Sequence, residues 1–164
     1  MRALMERLQS VVDDLVDHDV MTMIDTEDVV ALSRVLAQIE AAVCRQSAAF
    51  DRSAAWAPDG AQNAAAWITT SCRVDRKGAR RRVRIGRALR AMDLTDAAFG
   101  AGTITASHVE VLARARERSK ATAVTFARDE ATLVAWAETL PFHQYARRVQ
   151  EWLLEVDEEG AERD

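Results

Sequence analysis

The residues that interrupt helices are scarce in this sequence: 164 residues include 6 glycines and 2 prolines. That scarcity favours helices over strands and turns, and no strand-like alternation punctuated by turns occurs. Cysteine is nearly absent too. Cys44 and Cys72 lack the CxxC spacing of redox and zinc motifs, and each sits among small or apolar residues (AAVCRQ, TTSCRV). Both therefore read as buried, reduced thiols. No apolar run approaches the ~20 residues of a membrane span. Asp13, Asp14 and Asp17 stand where a signal peptide needs its apolar stretch. A reduced cytoplasmic setting with no membrane partner is the expectation. Also missing are a nucleophile motif, a phosphate-cradling glycine loop and a dinucleotide fingerprint. The chain shows no self-contained active site, and no cofactor is expected in it.

What is present is apolar residue and unevenly placed charge. Hydrophobic content is 49%, enough for the core of one compact domain. The net charge of −4 hides an asymmetry: residues 1–43 carry nine acids and three bases, and residues 129–164 carry ten acids and three bases. The middle is basic. Within residues 73–90, RVDRKGARRRVRIGRALR, nine of eighteen positions are Arg or Lys and only Asp75 is acidic. Charge distribution, rather than the whole-chain balance, speaks to partners.

Helical periodicity recurs along the chain. Leu4, Leu8, Val11, Val12 and Leu15 mark one face of a first helix. Asp25 or Thr26 is placed to cap a second, on which Val29, Leu32, Leu36, Ile39, Val43 and Phe50 follow alternating steps of three and four, interrupted by Gln46. That line is a seam for packing on another helix, and it suits dimerisation. Pro58-Asp59-Gly60 is a turn signal. Residues 62–72 suit a short helix with Ala66, Trp67 and Ile68 inward. Asp75 is the N-cap of a basic helix reaching about Met92. Thr95 is expected to cap a short helix ending near Gly100 and Gly102, and Thr105 another carrying Val109, Leu112 and Ala113. A helix over 121–139 has Val124, Phe126, Leu133, Val134 and Trp136 as core candidates. Pro141 opens a last one with Phe142, Tyr145, Val149, Trp152 and Val156 in a stripe. The predicted class is all-α: a multi-helix orthogonal bundle of about seven or eight helices, with one long N-terminal helix and a helix-turn-helix-like unit around 62–92. It is read as a single helical domain over 1–164, with an N-terminal helix and loop (1–24), a core (25–156) and an acidic tail (157–164) leading to a further C-terminal domain.

On a 3.6-residue period, Lys77, Arg80, Arg81, Arg84 and Arg87 share one face of the basic helix, and Ala79, Val83, Gly86, Leu89 and Met92 another. Arg76 and Arg90 extend the positive face, and Arg82 falls near the core edge. Gly86 costs about 1 kcal/mol against Ala in a helix interior, which a close approach by another helix would explain. A row of five cations on one helix is the electrostatic footprint of phosphate binding, and short helix, tight turn and longer basic helix have helix-turn-helix proportions. The turn residue is Arg73, so that match is partial. Two other readings stand beside phosphate contact: pairing with the acidic N- and C-terminal segments or with another chain or domain, and a plain solvated face. A second such unit at 95–118 ends in Arg114, Arg116, Arg118 and Lys120, cations that also complement a helix C-terminus.

The remaining chemistry-bearing residues read as structural. His18, His108 and His143 have no paired spacing, and His108 lies on the apolar side of its helix with Leu112 and Ala115. No Cys/His cluster has zinc spacing. The terminal carboxylate runs read as solvated faces. Trp67, Trp136 and Trp152 read as core, and Trp56 as core or an exposed anchor.

Three stretches, AAAWITTSCRVDRKGARRRVRIGRALRAM, AAFGAGTITASHVEVLARA and LLEVDEEGAERD, in this order, resemble the 13E12 repeat family of actinobacteria, also called domain of unknown function 222. The resemblance covers about residues 25–164. It implies a helical domain N-terminal to an HNH endonuclease domain, whose His general base and divalent metal would lie beyond Asp164. It carries no catalytic residue onto this chain. The expected role is DNA contact through phosphates by Lys77, Arg80, Arg81, Arg84 and Arg87. The alternative is an interaction, dimerisation or regulatory module with no direct nucleic-acid binding, whose basic helix docks against acidic helices of the same chain, a second copy or the nuclease domain.

Overall fold

In the computed structural model, which describes residues 1–18 and 25–161, the described residues form eight α-helices and no strand. The order is α1 (Arg2–Asp17), α2 (Thr26–Ser53), α3 (Ala64–Ser71), α4 (Arg76–Leu89), α5 (Asp93–Ala101), α6 (Ala106–Glu117), α7 (Lys120–Thr139) and α8 (Phe142–Ala161). A 3-10 turn at Ala57–Asp59 follows α2. The all-α class is as the sequence predicts. The chain divides into two compact units, Met1–Ser33 and Arg34–Asp164, so the division falls inside α2 rather than at residue 24. The segment 157–161, expected to be tail, continues α8, and residues 162–164 lie outside the described residues.

The first unit holds α1 and the start of α2. α1 buries none of its residues. Asp25 caps α2 as predicted: its Oδ1 accepts the Glu27 N–H at 3.0 Å.

In the second unit, α2 turns a different face to the core from the one its large residues mark. Its buried residues are Ala37, Ala41, Cys44, Ser47 and Ala48. The expected seam stays out: Val29, Leu32, Leu36 and Ile39 are exposed, and Val43 and Phe50 half-buried. The reason is close approach. A Cβ on Gly86 of α4 would stand 2.0 Å from the Cys44 carbonyl oxygen and 2.8 Å from the Ala48 Cβ. Only small side chains admit two helices at that separation, so the small-residue stripe packs and the bulky one does not.

The main core gathers Phe99, Leu112, Phe126, Leu133, Tyr145 and Trp152 from α5 to α8. A smaller core of Ala64, Ile68, Ala79 and Val83 seats α3 on α4, with Phe50, Trp56 and Trp67 packed against it. Trp67 is half-buried and donates its Nε1–H to Asp59 Oδ2 at 2.6 Å.

Three local expectations are corrected. Thr95 does not cap α5. Glu130 of α7 reaches the N-terminus of that helix, and its Oε1 accepts both the backbone N–H and the hydroxyl of Thr95 at 2.8 Å. With that carboxylate as cap, α5 starts earlier, at Asp93. Val124 is 75% exposed, because two residues of helix turn it about 200° away from buried Phe126. Cys72, expected to be buried, is exposed in the turn after α3, while Cys44 is buried.

Candidate nucleic-acid interface

The basic helix is built by two caps and a strained turn. Asn63 Oδ1 accepts the Ala66 N–H at 2.9 Å to start α3, and Asp75 Oδ1 accepts the Gly78 N–H at 2.9 Å to start α4, as predicted. Between them Arg73 adopts φ +54°, the left-handed conformation that favours glycine. The helix-turn-helix-like proportions are thus reached with an arginine in the glycine position. α4 then buries Ala79, Val83, Ile85, Gly86, Ala88 and Leu89. Its cations are forced to the other side by the same periodicity.

That side lines an open groove of about 1120 Å³. All five cations that the sequence singles out, Lys77, Arg80, Arg81, Arg84 and Arg87, line it, together with Arg76 and, from α6, Arg114. Three acids share the wall: Asp51 of α2, Asp75 and Glu110 of α6. Seven cations against three carboxylates leave the groove strongly positive. Arg82 is half-buried and Arg90 exposed, and neither lines the groove.

The five divide into two groups. Lys77 and Arg80 are exposed and form no ion pair with a described residue, and the same holds for Arg76. The others are engaged. Arg81 Nε lies 3.0 Å from Glu110 Oε2, and its Nη2 donates to Ser107 Oγ at 3.3 Å. Arg84 Nη2 bonds Glu110 Oε1, which also accepts from Arg114 Nη2 at 2.9 Å. Arg87 grips Asp51 Oδ2 through Nε at 2.8 Å and Nη2 at 2.6 Å. Burial pushes the Glu110 carboxyl up, but the hydrogen bond and charge of Arg81, with Arg114 and Arg84, outweigh it and hold the group below the ordinary carboxylate range. One carboxylate cannot neutralise three guanidiniums, so an incoming anion still meets net positive charge there. Arg84 Nε is buried without a hydrogen-bond partner, an unsatisfied donor in the groove wall.

The other candidates are accounted for locally. His108 Nδ1 accepts the Thr105 N–H at 3.2 Å and lies 2.8 Å from its hydroxyl, a capping box that starts α6, and burial lowers its pKa. Burial, reinforced by Glu40, pushes the Cys44 thiol up to about 11 against the opposing charges of Arg81 and Arg82, so it carries no thiolate at neutral pH. Among the described residues, no group of three or more His, Cys, Asp or Glu could hold a metal ion, and no helix is long and apolar enough to cross a membrane.

Periodicity on one helix could not reveal Glu110, Asp51 and Arg114, which come from other helices. The only local signal was Glu110 four residues before Arg114, an i,i+4 pair. No protein-family model, no curated protein and no solved structure matches this chain. The chemistry of the groove therefore rests on its own geometry.

Proposed function

We propose that this chain is a nucleic-acid-engaging accessory domain that holds DNA by its phosphates, in a protein whose cutting chemistry belongs to a separate HNH-type domain. The observation that carries the reading is the groove itself: seven cations to three acids, with Arg76, Lys77 and Arg80 unpaired among the described residues. The free cations meet phosphate first. Arg81, Arg84 and Arg87 follow at a cost, since each must be shared with Glu110 or Asp51. α4 contributes eight of the groove's fourteen lining residues, among them six of its cations. Such a row reads phosphate spacing rather than base edges, so weak sequence preference is expected. A divalent metal belongs with the separate nuclease domain.

The ion pairs favour a second reading. Glu110 held by three arginines and Asp51 held by Arg87 tie α4 to α6 and α2, and the positive remainder then receives an acidic protein segment. Fluorescence anisotropy separates the two. Labelled duplex DNA should bind at low salt, and Lys77→Glu with Arg80→Glu should lower the affinity at least tenfold. Absence of DNA binding at low salt, or affinity unchanged in the double variant, would sink the DNA reading. Capture of a polyglutamate peptide but not of DNA would establish the other.

A further inference from the structure

Every described residue from Met1 to Leu36 is exposed, although two amphipathic helices run through this stretch. Of the eighteen exposed large apolar side chains among the described residues, fourteen lie in residues 1–39. They are not scattered. On α1, Leu4, Leu8, Val11 and Leu15 recur in steps of four, three and four, flanked by Met5 and Val12. On α2, Val29, Leu32, Leu36 and Ile39 recur in steps of three, four and three, flanked by Val35. Both are heptad lines widened by a third position.

We infer that these seams are the self-association surface of the protein and that a second copy of this chain covers them. The width of the stripes argues for it. Two positions per heptad make a two-stranded seam, whereas three make the face of a bundle with more than two helices. One chain supplies two such helices, and a second copy supplies the other two. The area agrees: along the two lines, exposed fractions from 36% to 64% amount to roughly 900 Å² of surface per chain, comparable with the ~800 Å² that each partner of a stable complex buries. A sixteen-residue helix with no buried side chain is also marginal by itself in water, so α1 gains from a partner. The charges allow it. Helical spacing puts Glu6, Asp13 and Asp17 opposite the Leu8–Leu15 line, where they stay in water when the seam closes.

The acid excess of residues 1–43, nine against three, sets the salt response. Two like-charged copies repel, salt screens the repulsion, and the association tightens as salt rises. A basic partner on the same face would behave oppositely. Sedimentation velocity on the full chain tests this. The expected mass is twice 18.2 kDa at about 50 μM and 0.15 M salt. Leu8→Glu with Leu32→Glu should return the single-chain mass, while the near-UV signal of Trp56, Trp67, Trp136 and Trp152, all outside the seams, is unchanged. A single-chain mass at ~100 μM in both 0.15 M and 0.5 M salt overturns the inference. So does a pair that survives both substitutions, or one that dissociates as salt rises.

Discussion

α1 and α4 are both amphipathic, and the sequence displays both faces of each. α4 buries six residues against its neighbours, and α1 buries none. The difference lies in what each apolar face meets. α4 carries small residues, Ala79, Gly86 and Ala88, which let another helix come within backbone contact. α1 carries Leu, Met and Val, which need a partner with matching holes, and none of its side chains is buried. Amphipathicity announces that a face will be covered; side-chain size decides how closely it can be approached.

The contrast between the two helices is largest at Gly86. Gly86→Ala sets a Cβ against the Cys44 carbonyl and should cost about 3 kcal/mol in urea unfolding, more than an ordinary overpacking change because the obstacle is backbone. Leu8→Ala, on the unburied α1, should change the unfolding of the single chain by less than about 0.5 kcal/mol. Equal losses at the two positions would contradict the contrast.

Glu110→Gln comes next. It removes one charge from the groove and frees Arg81, Arg84 and Arg114, so DNA affinity should rise about fivefold, roughly 1 kcal/mol. The same change should lower stability near neutral pH, and pH gives the sign. The folded Glu110 pKa lies below its unfolded value. Its contribution is therefore fully present above the unfolded value of about 4.3 and lost as pH falls through the folded one. The Tm difference between the native protein and Glu110→Gln should be constant from pH 7 to about 5.5 and shrink towards pH 3. A difference that grows in acid would remove Glu110 from the account.

The smallest effect is expected at the turn. Arg73→Gly relieves a left-handed arginine and should stabilise by about 0.5–1 kcal/mol, part of the relief being offset by the freedom glycine gains in the unfolded chain. Arg73 does not line the groove, so DNA affinity should be unaltered within twofold.

Elements governed by local chemistry were legible in the sequence. The caps Asp25 and Asp75, the stripe Tyr145, Val149, Trp152 and Val156, and the row of cations on α4 all follow from spacing of 3.6 residues and side-chain oxygens beside free N–H groups. What was not legible depends on another element. Thr95 gives way to Glu130 because a carboxylate thirty-five residues away reaches the helix end first. The α2 face chosen for the core depends on how near α4 can come. In the groove, the cations were legible but their division into free and paired was not, since Glu110 and Asp51 are brought to α4 only by the fold.

If the α4 groove holds nucleic acid by its phosphates, as proposed, duplex DNA binding weakens steeply as salt rises. Each phosphate neutralised contributes about −0.9 to the slope of log affinity against log salt, so the three free cations predict about −2.7, and up to about −4.5 when two of the paired arginines also engage. Lys77→Glu with Arg80→Glu should flatten that slope by about two phosphates' worth, roughly 1.8. A slope near zero, or one unchanged in the double variant, would contradict the account.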